Sequence, residues 1–306
     1  MKLFRRSPGV PSSAPDAAFP YWSSDQAQRF RALVRAALAE AGVEATIYAD
    51  YAEDGKGRQF GLGNLAAVCH NGNRGERAWR KIVEGHVRAL VPGMDGQSPF
   101  TTMPPSDILA ATYLRLMPAE DVQPNMSYAR LVTPDLAEVL NLDLPATVAY
   151  YTDEQVASLG YDALREAGAS NLRAVPVDEH RTLEHNGGAI EVLLGESMFT
   201  ASLLLVFEHV LDRYGLTADP ALGAFVGVPN RHQLDFHVVA DARAIPSLST
   251  LAAFTAAGYR DAAGVVSPCV YWWRPGGLRR ISALTPDGPR IEADAELQSV
   301  LEALTR

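Results

Sequence analysis

GAFVGVPNRHQLDFHVV, residues 223–239, sets two apolar, strand-like runs on either side of Pro229-Asn230-Arg231-His232. Strands joined by so short a turn pair antiparallel, because a parallel pair needs a long crossover. Pro229 cannot donate to a ladder and ends the first strand. Asn230 tolerates the left-handed backbone of a tight turn. Turn chemistry accounts for those two residues and leaves Arg231 and His232 unexplained. Arg231 is a candidate for gripping an anionic group, with Asp235 or His237 beside it. On a continuous strand Asp235 and His237 share a face, while His232 and His237 lie on opposite faces.

Working outward, AIEVLLGE (189–196) reads as a strand and Met198–Tyr214 as a buried helix, apolar nearly all round and stopped by Gly215. Ser197 sits where that strand meets that helix. A nucleophile elbow needs a small residue two places later, and Phe199 is not small, so Ser197 reads as the helix N-cap. Downstream, the pattern predicts a helix near 248–257, strands over 265–273 and 278–285, and a final helix with Leu297, Val300, Leu301 and Leu304 on one face. In the strand Tyr271-Trp272-Trp273, alternation buries Trp272 and puts Tyr271 and Trp273 on the opposite face. An exposed aromatic pair there would anchor a partner. The structural alternative is a core strand covered on both faces.

Upstream, residues 1–20 read as a disordered tail rich in Pro, Ser and Ala. Residues 22–95 form a small α+β unit. A helix capped by Ser23 and Gln26 ends at Gly42, and EATIYADY (44–51) follows as a strand. Asp54-Gly55 marks a hairpin, and RQFGLGNLAAVC (58–69) continues the sheet. A second helix carries Trp79, Ile82, Val83, His86, Val87 and Leu90 on one face, with His86 expected as a hydrogen-bonded core residue. Gly61 to Ala66 matches the dinucleotide pattern G-x-G-x-x-A, but β-like residues follow where a helix is required, so no cofactor is expected. Residues 96–108 read as a linker, and 109–306 as a larger α+β domain. In it, Tyr113–Leu116 and Tyr128–Leu131 are extended, Thr133-Pro134 opens a short helix, and 145–151 is a strand. Thr152 and Gln155 cap a short helix, and 162–167 is helical.

Bulk properties exclude several classes. The 306-residue chain carries a formal charge of −9, which argues against a broad nucleic-acid footprint. No apolar run approaches the ~20 residues of a membrane span. Cys69 and Cys269 make no disulfide framework, and a reducing cytoplasm suits them. The seven histidines are scattered, without a HExxH motif, and no metal site is expected.

LGNLAAV, YARLVTPDLAEVL, ATVAYYTDE, LLGESMFTASLLL, VGVPNRHQLDF and VVSPCVYWW occur in an order that resembles the YtpQ-like family of bacterial proteins, from residue 24 to the end. In that family the residue after the arginine is usually an aspartate; here it is His232. The family has no established activity to transfer. The helix–strands–helix of the first unit is also loosely similar to the secretion-chaperone-like fold, whose members bind proteins. The expectation is a cytoplasmic α+β protein with mainly antiparallel sheets and no cofactor. It acts as a non-enzymatic protein-binding module (adaptor, chaperone-like or toxin-neutralising) with Tyr271 and Trp273 as partner contacts, and engages neither nucleic acid nor membrane. The alternative is a small-ligand binder or hydrolase using Glu196, Ser197, Arg231, His232, Asp235 and His237.

Overall fold

The computed structural model describes residues 14–55, 59–72, 74–90, 99–144, 147–260 and 262–305. The fold is α+β, its sheets are antiparallel, and the chain divides into two compact units, residues 1–96 and 97–306. No helix among the described residues is long and apolar enough to cross a membrane.

The first unit contains α1 (Ser24–Glu40), β1 (Ala45–Ile47), β2 (Tyr51–Asp54), β3 (Gln59–Gly61), α2 (Gly63–Asn71) and α3 (Glu76–Leu90). The Ser23–Gln26 capping box opens α1, and Gly42, at φ +78°, follows its end. Three expectations are corrected here. EATIYADY is two strands, folded back by a turn that the Tyr48 amide closes on the Tyr51 carbonyl. LAAVC is helical, because Leu65, Ala66 and Cys69 lie on one helical face and bury it in the core. The glycine pattern therefore does stand between a strand and a helix, but in a three-stranded antiparallel sheet rather than the parallel βαβ unit of a dinucleotide site. Finally, His86 is exposed, while Val83 and Val87 take the core face of α3. The expected disordered tail over residues 1–20 is corrected for its last part. Residues 1–13 lie outside the described residues, whereas Phe19 is buried in the aromatic core and Asp16 pairs with Arg31 at 2.8 Å.

The second unit begins with α4 (Pro99–Thr102) and α5 (Pro105–Ala110), helices within the span expected to be a linker. Phe100 and Ile108 join its core. A small sheet follows: β4 (Thr112–Pro118), β5 (Arg130–Thr133), β6 (Leu136–Leu144) and β7 (Thr147–Tyr150), with β6 between β4 on one side and β5 and β7 on the other. The short helix expected after Pro134 is instead strand β6. Its residues are buried almost throughout, and a strand covered on both faces loses the alternation that would reveal it. Helices α6 (Asp153–Leu159) and α7 (Tyr161–Arg173) lead to β8 (Glu179–His185) and β9 (Gly188–Leu194).

The expected helix 198–214 is only partly α-helical. Ala201–Val206 is a 3-10 segment and Phe207–Arg213 is α8. Its start is committed to neighbours: the Ala201 amide donates to the Arg231 carbonyl, and the Ser202 hydroxyl accepts from the Leu116 amide. Strands β10 (Ala224–Gly227), β11 (Gln233–Val238), β12 (Val270–Arg274) and β13 (Gly277–Arg280) complete a six-stranded sheet in the order β13-β12-β10-β11-β9-β8. Helix α9 (Ala244–Arg260) covers one face through Leu248, Leu251 and Ala252. The other face joins the core shared with the small sheet. A hairpin, β14 (Ser282–Thr285) and β15 (Gly288–Ile291), and α10 (Ala295–Ala303) finish the chain.

Candidate functional site

The Pro229–His232 turn is held from several sides. The Pro229 carbonyl accepts from the Val266 amide, and the Arg231 amide donates to the Gly264 carbonyl. The Asn230 side chain accepts from the His232 amide at 3.0 Å and donates to Gln233 at 3.2 Å. Asn230 thus shapes the turn through its carboxamide and not through the expected left-handed backbone, since Asn186 is the non-glycine residue at positive φ among those described.

The turn presents Arg231 in a defined pose. Its Nε–H donates to His232 Nε2 at 2.9 Å, so Nε2 carries no proton. The imidazole proton therefore sits on Nδ1, which donates to the Gly195 carbonyl at 3.1 Å. Burial lowers the His232 pKa and the adjacent Arg231 charge lowers it further, which favours this neutral form. Gly264, at φ +70°, packs against the Arg231 stem: a Cβ there would lie 2.6 Å from Cδ.

One face of the small sheet lies within electrostatic range of this arginine. Tyr113, Arg115 and Met117 of β4, Ala137, Val139 and Asn141 of β6, and Tyr150 of β7 share it by strand alternation. Arg115 Cζ lies 5.3 Å from the centre of the Tyr150 ring, two strands away, so its side chain crosses β6 beside Asn141. Burial lowers the Arg231 pKa, and repulsion from Arg115 adds to the shift, while Tyr150 opposes it. Neither arginine forms an ion pair among the described residues. Asn141 is fully buried between its cross-strand neighbours Tyr113 and Tyr150, and neither its Nδ2 nor its Oδ1 has a hydrogen-bond partner. An unpaired buried amide costs about 1–3 kcal/mol, so a ligand that hydrogen-bonds to it would gain affinity.

The other candidates do not join this cluster. Asp235 is fully buried on the face beneath α9 and accepts from Gln233 Nε2 at 3.0 and 2.8 Å. Burial pushes its pKa up to about 8, against the effect of the Gln233 bonds, which leaves a largely protonated acid at neutral pH. His237 donates from Nδ1 to the Ala189 carbonyl at 2.7 Å and does not contact Arg231. Ser197 accepts from the Phe199 amide at 3.2 Å, in a local turn and not as an α-helix cap, and Glu196 is exposed. His232 bonds the Gly195 carbonyl and Arg231, so it is not placed as a base for Ser197. Tyr271 is not an exposed anchor. It is fully buried; its hydroxyl donates to Asp135 at 2.8 Å and lies 2.6 Å from Ser267 Oγ. Trp272 is buried on the opposite face, and Trp273 is half-buried against Phe207, so the strand is covered on both sides.

The sequence reading missed Arg115, Asn141 and Tyr150 as site residues. Asn141, a polar residue inside the apolar run of β6, was the signal available. Among the described residues no group of three or more His, Cys, Asp or Glu is placed to hold a metal ion. No family model, no curated protein and no solved structure matches the chain.

Proposed function

We propose that the chain is a binding protein that takes a small anion where the Pro229–His232 turn meets the β4–β6–β7 face, and performs no chemistry on it. The observation that carries this reading is the Arg115–Arg231 pair, two partly buried guanidinium groups whose charges repel and neither of which forms an ion pair among the described residues, Asp121 acting on Arg115 only at longer range. Like charges in a desolvated setting repel, and an oxyanion between them would relieve both costs. His232 and Gly264 fix one of the two arginines before any ligand arrives, which reduces the entropy lost on binding. A cytoplasmic setting belongs to the same proposal, supported by buried, unbridged Cys69 and Cys269. The resemblance to the YtpQ-like family adds no activity to this reading.

The test is thermal unfolding of the full chain in increasing phosphate. Ligand at ~100 times Kd contributes about 2.7 kcal/mol, which raises Tm by roughly 5–10 °C for a domain of this size. Arg231→Gln removes the rise while leaving the ligand-free Tm within a few degrees. An equal rise in both proteins contradicts the proposal.

A second reading, binding of an apolar segment of a partner protein, is favoured by Leu131. That side chain is 65% exposed beside Trp273, Phe207 and Leu278 in an open groove of about 740 Å³. A partner recovered stoichiometrically by the wild type and lost by both Leu131→Asp and Trp273→Ala would establish it; recovery undiminished in both variants would remove the groove from consideration.

A further inference from the structure

The two arginines offer only donors, because a guanidinium has no acceptor. A fully deprotonated oxyanion would satisfy them. It would also satisfy Asn141 Nδ2, one of the two orphaned atoms of that fully buried amide. It would leave Asn141 Oδ1 unpaired, because that atom needs a donor and no described group supplies one. Asn141 lies on the same sheet face as Arg115 and one diagonal step from it, since Arg115 opposes Val139 and Asn141 opposes both Tyr113 and Tyr150. Diagonal cross-strand neighbours are about 7–8 Å apart at Cα, within the reach of long side chains around one small ligand.

We infer that the site selects an oxyanion that carries its own hydrogen-bond donor, and that inorganic hydrogen phosphate is such a ligand: Arg115 and Arg231 bind its unprotonated oxygens, and its P–O–H donates to Asn141 Oδ1. This rests on the anion-site reading above. Sulfate has nearly the same size and shape but no proton to donate at neutral pH. It leaves Oδ1 buried and unsatisfied, and a site built around a donor rejects the analogue that lacks it. A phosphate monoester sits on the sulfate side of the comparison above its second pKa of ~6, whereas inorganic phosphate retains a proton. Proton count, not charge alone, is the selected property.

The experiment is calorimetric titration of the full chain near neutral pH with inorganic phosphate, sulfate and glycerol phosphate at matched ionic strength. Phosphate is expected to bind at least ~10-fold tighter than either competitor. Asn141→Leu keeps the heavy-atom count and branching of the side chain while removing its polar atoms, and is expected to shrink that preference to within roughly threefold, with sulfate binding retained. Arg231→Gln is expected to lose all three ligands. Equal affinity of the wild type for phosphate and sulfate overturns the donor inference and leaves the anion site standing, as does a preference that survives Asn141→Leu. No binding of any of the three anions to the wild type overturns the anion site itself. The wild-type titrations decide between these outcomes even if Asn141→Leu fails to fold.

Discussion

Arg231 and His232 act as one unit. The imidazole must be neutral to accept the Arg231 Nε–H, and burial with the neighbouring cation keeps it so. Its folded-state pKa lies below the unfolded value of ~6.5, so the unfolded chain takes up the proton first as pH falls. Stability from this group is present above ~6.5 and is lost as pH drops below it. Half-buried His237 shifts in the same direction. Comparing urea unfolding near pH 7.5 and 5.5 separates the two: His232→Gln is expected to lose less stability on acidification than the wild type, and an unchanged loss assigns the effect elsewhere. Asp235 runs the opposite way. Its pKa, raised to about 8, lets the native state hold a proton that the unfolded chain gives up above ~3.9. Its contribution is therefore full at acid pH and is lost as pH rises through about 8. Asp235→Asn is expected to unfold less readily than the wild type near pH 9, and a variant with the wild-type alkaline slope would show that Asp235 is already ionised in the fold.

Elements decide how much of this could be read in advance. The turn at 229–232 and its flanking strands were legible because Pro229 punctuates two apolar runs. Both capping boxes, at Ser23 and Thr152, were visible for the same local reason. The failures share a different cause. β6 is buried along most of its length, so LAEVLNL shows no alternation and passes for a helix after Pro134. β8, EHRTLEH, is an exposed edge strand whose charges hide it, although Asn186-Gly187 supplies a hairpin turn. The 3-10 segment at 201–206 depends on bonds to Arg231 and Leu116, which no local pattern encodes. The site suffers most, because Arg115 and Asn141 belong to it only through the position of β4 beside β6. Gly264 belongs to the same level. A side chain at φ +70° against the Arg231 stem is strained and crowded, so Gly264→Ala is expected to cost roughly 1–3 kcal/mol and to weaken anion binding. A Gly264→Ala protein with native stability and native affinity would mean that the loop does not position the arginine.

At the scale of the second unit, two sheets share one core, and Tyr271 stitches them together through polar contacts. Asp135, in the turn between β5 and β6, accepts from the Tyr271 hydroxyl and from Thr133 Oγ1, and Arg280 lies 3.5 Å from it. Tyr271→Phe removes one donor from a half-buried carboxylate that keeps Thr133 and Arg280, and is expected to lower stability by about 0.5–1.5 kcal/mol; chemical denaturation measures it, and no loss would show that the hydroxyl is dispensable. The net charge of −9 matters at the same scale, because a cationic site on an acidic molecule gains little long-range steering. Affinity for an anion must then come from contacts at short range, from Arg115, Arg231 and the amide between the tyrosines. The most direct measurement is calorimetric titration of inorganic phosphate into wild-type protein and into Arg231→Gln. The account predicts saturable, one-site binding in the first and none in the second; heats that are absent from both, or identical in both, would contradict it.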